Sequence, residues 1–218
     1  MPDPAAPYPL SSPLSRHRMS SAERRAAIVE TAIELFAAKG FSGTTTRELA
    51  TAVGVSEPVL YQHFKAKSDL YAALLETKCE TGPDKAQAEL APYIEAEDDK
   101  GFFTHLGLGI LAWHLDDPRF CRLLMFSSLE RHELSEIFFQ NHVLPFYNVI
   151  VGYINLRMDK GAFRKMDPLV AARAFTGMFA HLGTIHSIYC PQAPELDRHA
   201  VTEQQVDIFL RGIKVSGS

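Results

Sequence analysis

The sequence TTTRELATAVGVSEPVLYQHFKAKSDL contains two short helical patterns separated by a single glycine. Thr45 and the glutamate three residues later have the spacing of a capping box, in which both side chains satisfy free amides where a helix begins. Gly54 suits the left-handed conformation of a tight turn, and Ser56 followed by Pro58 is typical of the start of another helix. Two short helices joined by such a turn predict a helix-turn-helix.

Longer helices are predicted on both sides of this unit. Ser20 and Glu23 repeat the capping-box spacing, and apolar residues recur at helical intervals up to Gly40, so we predict a helix over about 21–39. Ser68 is expected to cap a fourth helix, which runs toward Lys78 and is broken by the sequence TGP. The residues of the two short helices expected to face inward are Leu49, Ala50, Val53, Leu60 and Phe64.

The opposite face of the second short helix would then remain exposed, as a helix that enters the major groove of DNA requires. At the start of the first short helix, free amides and the helix dipole favour phosphate oxygens. The side chains predicted on these grounds to reach the groove or the phosphates are Thr44, Thr45, Thr46, Ser56, Glu57, Val59, Tyr61, Gln62, His63 and Lys67.

From Arg24 to Leu75 the sequence resembles the DNA-binding domain of the tetracycline-repressor (TetR) family of bacterial transcriptional regulators. The resemblance rests on LFAAKGF, the threonine-rich cap, the AxxxGVS turn, LYxHFxxK and the leucines that follow, all in order. Arg47 projects from the second helix and is a further candidate for DNA contact. The resemblance implies phosphate contacts by Thr45 and Lys67, DNA-backbone contacts by Tyr61 and His63, and base contacts by Glu57, Pro58 and Val59.

Two interpretations of Glu57 remain open. Its carboxylate can accept a hydrogen bond from cytosine N4 and so give a sequence preference. A carboxylate also repels phosphates, and close to a helix N-terminus it can simply stabilise the helix. For Tyr61, a phosphate contact is favoured over a place in the core, because this residue directly follows the inward-facing Leu60.

Charge is distributed unevenly along the 218 residues, whose formal net charge is −4. Residues 1–75 carry eight Lys and Arg against seven Asp and Glu, a net +1, so the remainder, with 14 against 19, carries −5. This asymmetry suits a small anion-binding domain attached to a larger part that avoids anions.

Three cysteines without a CxxC pair predict neither a disulfide framework nor a structural zinc site. Without a long apolar run or a signal-peptide pattern, we expect no membrane segment and a cytoplasmic location.

The rest of the chain has helical patterns throughout. GFFTHLGLGILAWHLDDP is apolar nearly all round, a kink is expected near Pro145, Asp167 is expected to cap a further helix, and TEQQVDIFLRGI predicts the last one. We therefore predict an all-α protein of about nine helices. It would comprise a disordered basic arm (1–19), a helix-turn-helix DNA-binding domain (20–67) and a helical ligand-binding and dimerisation domain (68–218).

Bulky apolar side chains are numerous in this last domain. Aromatic residues at helical spacing usually form a core, but as a group they could line a cavity between helices. The resemblance implies that the domain binds a small-molecule inducer and that its last two long helices form a dimer interface. The predicted ligand-pocket residues are Trp113, Phe126, Phe139, Tyr147 and Met178. The predicted dimer-interface residues are Phe175, Phe179, Leu182 and Phe209.

These features predict a DNA-binding transcriptional regulator: a dimeric, ligand-responsive repressor that binds a palindromic operator and is released by a small, largely apolar effector. Activation instead of repression stays open, as do the operator sequence, the regulated genes and the effector. The alternative is a helical protein-interaction or ligand-binding module with a vestigial DNA-binding head. An enzyme is less favoured, since no nucleophile–base pair or glycine-rich phosphate loop is apparent, and we expect no catalytic residues, metal or cofactor. The N-terminal arm could place Arg16 and Arg18 in a minor groove or be an inert extension.

Overall fold

The computed structural model describes residues 19–78, 83–131 and 133–215. These residues form α-helices, two π-helical turns and an isolated bridge between Phe163 and Lys214. Over these ranges the prediction of an all-α fold is confirmed. In chain order the helices are α1 (Ser21–Lys39), α2 (Thr46–Val53), α3 (Glu57–His63), α4 (Lys67–Lys78), α5 (Pro83–Glu95), α6 (Asp99–Leu115), α7 (Pro118–Leu129), α8 (Glu133–Phe138), α9 (Leu144–Asp159), α10 (Pro168–Thr184) and α11 (Arg198–Ile213).

Two of the helices continue through π-helical turns. Phe139–Val143 joins α8 to α9 and Ile185–Tyr189 extends α10, so within the described ranges eleven α-helical segments form ten continuous helices, close to the number expected. The first π turn lies directly before Pro145, where the sequence predicts a kink. There the amide of Leu144 donates to the oxygen of Phe139, five residues back. Pro145 has no amide with which to continue the usual four-residue spacing, which explains the interruption.

The predicted caps of the first two helices are confirmed. Ser20 and Glu23 form the capping box of α1, and Thr45 and Glu48 form that of α2. Gly54 follows α2 with a φ of 78°, in the left-handed region that glycine adopts without strain. The connection between α2 and α3 therefore has the tight-turn geometry expected of a helix-turn-helix.

Two other cap predictions are wrong. Ser56 stands before α3, but its side chain makes no capping hydrogen bond. Ser68 lies inside α4, which begins at Lys67, and the carboxylate of Asp69 accepts from the amide of Ala66 at 3.0 Å. A carboxylate is a stronger acceptor than a hydroxyl. The carboxylate of Asp69 satisfies the amide of Ala66, and the helix therefore begins at Lys67, one residue before Ser68. Of the predicted break at TGP, Thr81 and Gly82 lie outside the described residues and Pro83 is the first residue of α5. Most of the N-terminal arm also lies outside the described residues.

The first hydrophobic cluster, which we call the head core, contains parts of α1 to α4 and one face of α7. Phe120 and Leu123 of α7 are buried in it, together with Leu70 and Leu74 of α4. We call α1 to α4 the head and α5 to α11 the body, and α7 is the body helix that shares the core of the head. The residues predicted to face inward all belong to this cluster: Leu49, Ala50, Leu60 and Phe64 are buried, and Val53 packs against them.

The second cluster, the body core, is organised around α6. This helix packs against α5, α10 and α11, while α9 packs against α10 and α5. Gly107 allows α6 to approach α10 closely, because a Cβ at this position would lie 2.6 Å from the ring of Phe179. No helix within the described residues has both the length and the apolar character needed to cross a membrane.

A buried acidic group anchors the start of α6. The carboxylate of Asp99 accepts from the hydroxyl of Tyr153 and from Nε of Arg157, both at 2.8 Å. It also pairs with Nζ of Lys214 at 3.2 Å. Asp99 and Arg157 are both buried, so these bonds connect α6 to α9 and to the end of α11 within the interior of the body.

Candidate nucleic-acid interface and body cavity

The predicted contact residues on α2 and α3 lie at the surface of the head. Tyr61 is 45% exposed, so its ring does not belong to the core. We call this set the head surface; its exposed members are Thr45, Arg47, Ser56, Pro58 and Tyr61, and its partly buried members are Thr46, Glu57, Val59 and His63.

Three residues of the head surface contact one another. The hydroxyl of Thr46 donates to a carboxylate oxygen of Glu57 at 3.2 Å, and the hydroxyl of Tyr61 lies 3.5 Å from the Thr46 oxygen. These contacts link the first residue of α2 to α3 and so help to fix the orientation of the two helices. Glu57 therefore has a structural partner, while its contact with a base stays a prediction.

Glu48 holds the start of α2 against α1. One carboxylate oxygen accepts from Nζ of Lys39 at 2.9 Å, and the other accepts from the amide of Thr45 at 2.9 Å. The hydrogen bond from Lys39, followed by those from Thr45, lowers the pKa of Glu48 to about 2. Glu48 is therefore ionised at neutral pH, and the N-terminus of α2 is anchored by charged hydrogen bonds.

Thr44 has a different environment from the one expected. Its side chain is 1% exposed, and its hydroxyl donates to the backbone oxygen of Gly40 at 2.9 Å, with the Leu35 oxygen at 3.4 Å. These carbonyls lie at the end of α1, where the last turn of a helix lacks partners of its own. The predicted phosphate contact of this side chain is therefore corrected to structural support of the turn between α1 and α2.

Lys67 is also directed toward the protein. Its ammonium donates to the backbone oxygen of Phe41 and lies 4.0 Å from the centre of the Phe41 ring. Burial lowers the pKa of Lys67, and the charges of Glu130 and Glu48 act in the opposite direction. Lys67 thus connects the start of α4 to the turn after α1. A phosphate contact requires another rotamer of this side chain and stays a prediction.

Contacts between α7 and α1, including the turn after α1, were not predicted from the sequence. We call the residues that make them, Arg119 and Arg122 of α7 and Glu130 directly after it, the α7 clamp. Arg119 donates to Glu30 of α1 at 2.6 Å, and Nε of Arg122 donates to a backbone oxygen near the end of α1 at 3.2 Å. The carboxylate of Glu130 accepts from two backbone amides of the turn between α1 and α2, at 3.1 and 3.2 Å. Because the partners lie 85 to 89 residues apart in the chain, no local pattern reveals them.

A cavity of about 500 Å³, partly open to solvent, lies in the body between α5, α6, α10 and the joined helix α8–α9. Apolar and aromatic side chains line most of it, which is typical of small-molecule sites. Of the five residues predicted to line a pocket, Trp113 and Tyr147 do so. Phe138 and Phe146 complete the aromatic part of its wall.

The other three predicted pocket residues lie elsewhere. Phe126 packs beside the end of α1, where a Cβ on Gly40 would lie 3.3 Å from its ring. Phe139 is 41% exposed at the surface, and Met178 packs against the body core. Helical spacing alone does not distinguish residues that line the cavity from residues that do not, since an apolar side chain can face a cavity, a core or a neighbouring helix.

The polar groups at the cavity were also not singled out from the sequence. Nδ1 of His114 lies 2.8 Å from the carbonyl oxygen of Ile110 and donates to it, and burial lowers the pKa of this histidine. The neutral ring therefore offers Nε2 as an acceptor. Oγ1 of Thr176 is buried and has no partner among the described residues. A carboxylate oxygen of Glu89 lies 3.5 Å from Nε2 of His105, and both side chains are partly exposed.

The phenylalanines predicted for a dimer interface lie in the body core instead. Phe175, Phe179 and Phe209 are buried, and the rings of Phe175 and Phe209 are 5.1 Å apart. Leu182 is partly buried and packs against the same core. The prediction is corrected for the three phenylalanines, because side chains enclosed within one chain cannot contact another; for Leu182 it stays a prediction. The exposed apolar and small residues on α10 and α11 include Val170, Ala174, Gly177 and Ile208.

Metal binding has no candidate in the described part of the chain. No group of three or more His, Cys, Asp or Glu side chains that could hold a metal ion occurs among the described residues. The two chemical features of interest are therefore the head surface and the cavity.

Comparison with known proteins identifies the N-terminal segment. Residues 28–74 match the family model described as bacterial regulatory proteins, tetR family. Over 53 residues the chain is 49% identical to the class C tetracycline repressor protein of Escherichia coli, a match that covers 24% of this chain and 24% of that protein. Several of the other relatives are likewise matched over only about a quarter of their own length.

Longer matches extend into the body. Over 142 residues the chain is 31% identical to the nucleoid occlusion factor SlmA of Marinobacter nauticus, covering 65% of this chain and 70% of SlmA. The crystal structure of AibR in complex with isovaleryl coenzyme A and operator DNA has the same fold, with a TM-score of 0.62 and 20% identity over 85% of this chain and 97% of AibR.

The head surface and the helical body with its cavity define a two-part helix-turn-helix protein. This combination is the architecture that the sequence resemblance implies. The chain belongs to the TetR family of bacterial transcriptional regulators, and it carries the DNA-binding domain of that family.

Proposed function

We propose that the protein is a dimeric transcriptional repressor that binds a palindromic operator and releases it when a small effector enters the body cavity. The observation that carries the proposal is the head surface, in which polar side chains of α3 face outward over a buried core. An α-helix of this kind fits the major groove, and the amides at the start of α2 suit a phosphate. The family model matches this same segment.

The individual DNA contacts are proposed from exposure. Tyr61 and Arg47 are accessible for phosphates, and Thr45 presents the N-terminus of α2. Pro58 and Val59, in the first turn of α3, are proposed to meet base edges. We assign DNA-backbone contact to His63 and Lys67 as further parts of the proposal, and groove contact to Ser56, which directly precedes α3.

Dimerisation is proposed through the outward faces of α10 and α11. Val170, Ala174 and Gly177 are spaced so that they form one stripe on α10, and Ile208 of α11 is 65% exposed. Small residues permit close helix packing, and exposed apolar residues favour a covered surface. A two-fold pair of heads would meet half-sites about 34 Å apart, one turn of the DNA helix.

The dimer surface is tested with one substitution at two positions. Ile208→Glu places a charge in the proposed interface and is expected to convert dimer to monomer in analytical ultracentrifugation. Ile137→Glu makes the same change at an exposed position of α8 and is expected to leave the mass unchanged. A dimer that survives Ile208→Glu would contradict this choice of surface.

The proposed route from the cavity to the head runs through α7. The Trp113 ring lies 5.9 Å from that of Phe138 and 5.7 Å from that of Phe120. Phe120 is buried in the head core, and the α7 clamp holds the same helix against α1. A ligand that displaces Trp113 would thus move α7 and with it the head. It shifts the equilibrium only if it binds the two arrangements with different affinities.

DNA binding is tested by selecting genomic fragments with the purified protein and with matched variants. Arg47→Ala and Tyr61→Ala alter the head surface, whereas Lys165→Ala removes one positive charge from an exposed site on the body. We expect the wild type and Lys165→Ala to enrich the same palindromic site at moderate salt, and the head variants to bind it at least about tenfold more weakly. Equal enrichment by all four proteins, or by none, would refute the proposed interface.

The direction of regulation needs a separate assay. Transcription in vitro from a promoter that contains the selected site should fall when the protein is added, and rise again with an effector. An increase of transcription on adding the protein would make it an activator. Distances between spin labels on the two heads should change with the effector, and release of DNA without any change in head spacing or mobility would contradict the route through α7.

A further inference from the structure

We propose that the body cavity selects hydrophobic organic cations, such as protonated or quaternary amines, over anions of the same size. The inference rests on the proposed role of the cavity as the effector site and adds the chemical class of the effector. The charged groups around the cavity give the first reason. Among the described residues that line it, Glu89 supplies a carboxylate and there is no lysine or arginine.

The uncharged polar groups give the second reason, since they supply acceptors. The Nδ1–H of His114 is used by the carbonyl oxygen of Ile110, so the other ring nitrogen, Nε2, is an acceptor in the neutral ring. His142 also lines the cavity, and burial lowers its pKa, so this ring is neutral and has one unprotonated nitrogen. Nε2 of His105 lies 3.5 Å from Glu89, so a proton on it faces the carboxylate.

A ligand that enters the cavity loses water and must recover its hydrogen bonds from the wall. An ammonium group would find a carboxylate and neutral imidazole acceptors. A carboxylate or phosphate ligand would find few donors and would be repelled by Glu89. Desolvation costs free energy for either ion, and the wall recovers more of this cost for a cation than for an anion.

The aromatic wall gives the third reason. The rings of Trp113 and Phe138 lie 5.9 Å apart at an angle of 27°, and Phe146 and Tyr147 also line the cavity. The faces of such rings carry partial negative charge and attract cations, with Trp the strongest of them. A volume of about 500 Å³ accommodates a ligand with several hydrocarbon groups around the charged atom.

The test uses two probes of the same shape and opposite charge, tetraphenylphosphonium and tetraphenylborate. Trp113 is the single tryptophan of the chain and lines the cavity, so its fluorescence reports binding directly, without DNA. We expect tetraphenylphosphonium to change this fluorescence saturably and tetraphenylborate to bind at least about tenfold more weakly. Titration calorimetry on the same protein measures both affinities independently.

Two variants on the same helix separate charge selection from general apolar binding. Glu89→Gln removes the charge at the cavity and keeps the side-chain shape; it should reduce the preference for the cation by about tenfold. Glu95→Gln makes the same change at an exposed position of α5 that does not line the cavity, and should retain the preference. Glu89 is partly exposed and pairs with His105 alone in the described structure, so its substitution is not expected to unfold the body.

The outcomes distinguish this inference from the proposed function. Equal affinity for the two probes, preference for the borate, or no binding of either would overturn the inference. If Glu89→Gln binds the cation as tightly as the wild type does, the carboxylate of Glu89 does not select the cation, and the inference is overturned. Selective cation binding that does not release the operator would support the inference on ligand class and contradict the proposed effector role of the cavity.

Discussion

Replacement of Thr44 by valine removes a buried hydroxyl while keeping the shape of the side chain. That hydroxyl donates to the Gly40 oxygen at 2.9 Å and lies 3.4 Å from the Leu35 oxygen. A neutral hydrogen bond contributes about 1 kcal/mol net, and a buried acceptor left without its donor costs about 1–3 kcal/mol. Because the second contact is long and the new methyl group is buried, we expect a loss of about 1.5–2 kcal/mol.

Thermal unfolding followed by circular dichroism measures this loss. For a chain of this size, 1 kcal/mol corresponds to about 2–4 °C, so Thr44→Val should lower the melting temperature by about 3–8 °C. Thr45→Val is the matched control: it removes the cap of α2, which costs about 1 kcal/mol. The two variants should therefore lose comparable stability for different reasons.

Operator affinity separates the two roles. Measured by fluorescence anisotropy at low temperature, where both variants are folded, Thr44→Val should bind the operator as the wild type does. Thr45→Val should bind more weakly, because its side chain and the amides it orders face the DNA in the proposed complex. If Thr44→Val weakens binding as much as Thr45→Val does, the Thr44 hydroxyl contacts DNA and its assignment as structural support is refuted. An unchanged melting temperature would refute the stability calculation.

Further perturbations address the α7 clamp, the buried anion and the capping box. Glu130→Ala should expose the two backbone amides that its carboxylate binds, and these amides should exchange with solvent about tenfold faster in hydrogen-exchange experiments; unchanged protection would contradict the clamp. Asp99→Asn removes one of the two carboxylates that pair with buried Arg157 and leaves Glu97; it should cost about 2 kcal/mol in urea unfolding, whereas Asp116→Asn, at an exposed ion pair, should cost less than about 1 kcal/mol. Folding lowers the pKa of the Glu48 carboxyl from 4.5 to about 2. The hydrogen bonds of this carboxylate therefore stabilise the head fully above pH 4.5, and this stabilisation is lost as the pH falls toward 2. An NMR titration of the Glu48 carboxyl with a midpoint near 4.5 would contradict the lowered pKa.

The local parts of the fold could be predicted because their causes are local. The capping boxes at Ser20 and Thr45 each involve residues three apart, and the turn at Gly54 depends on the conformation of one residue. The exposed side of α3 followed from helical spacing, and so did the buried Leu60. The predicted cap of α4 was wrong because Asp69, rather than Ser68, supplies the acceptor for the amide of Ala66.

The functional residues of the body were predicted less well. Trp113 and Tyr147 line the cavity, but helical spacing cannot tell whether an apolar side chain faces a cavity or a core. Phe175 and Phe209 have the size and spacing of interface residues, yet they pack against each other inside the chain. The polar lining, Glu89 among it, has no sequence motif that marks it.

The sequence by itself determined the helices, their caps, the helix-turn-helix and the family, because hydrogen bonds and helical periodicity act over a few residues. Only the tertiary structure decided which side of each body helix faces the core, the cavity or the surface, since that depends on partners far apart in the chain. The hydroxyl of Thr44 supports a turn because the carbonyl oxygen of Gly40, at the end of α1, lies within hydrogen-bond distance. The carboxylate of Glu130 belongs to the α7 clamp because the packing of α7 on α1 brings it to the amide of Phe41. The charge and hydrogen-bonding character of the cavity arise in the same way, from side chains of four separate regions that meet only when the body folds.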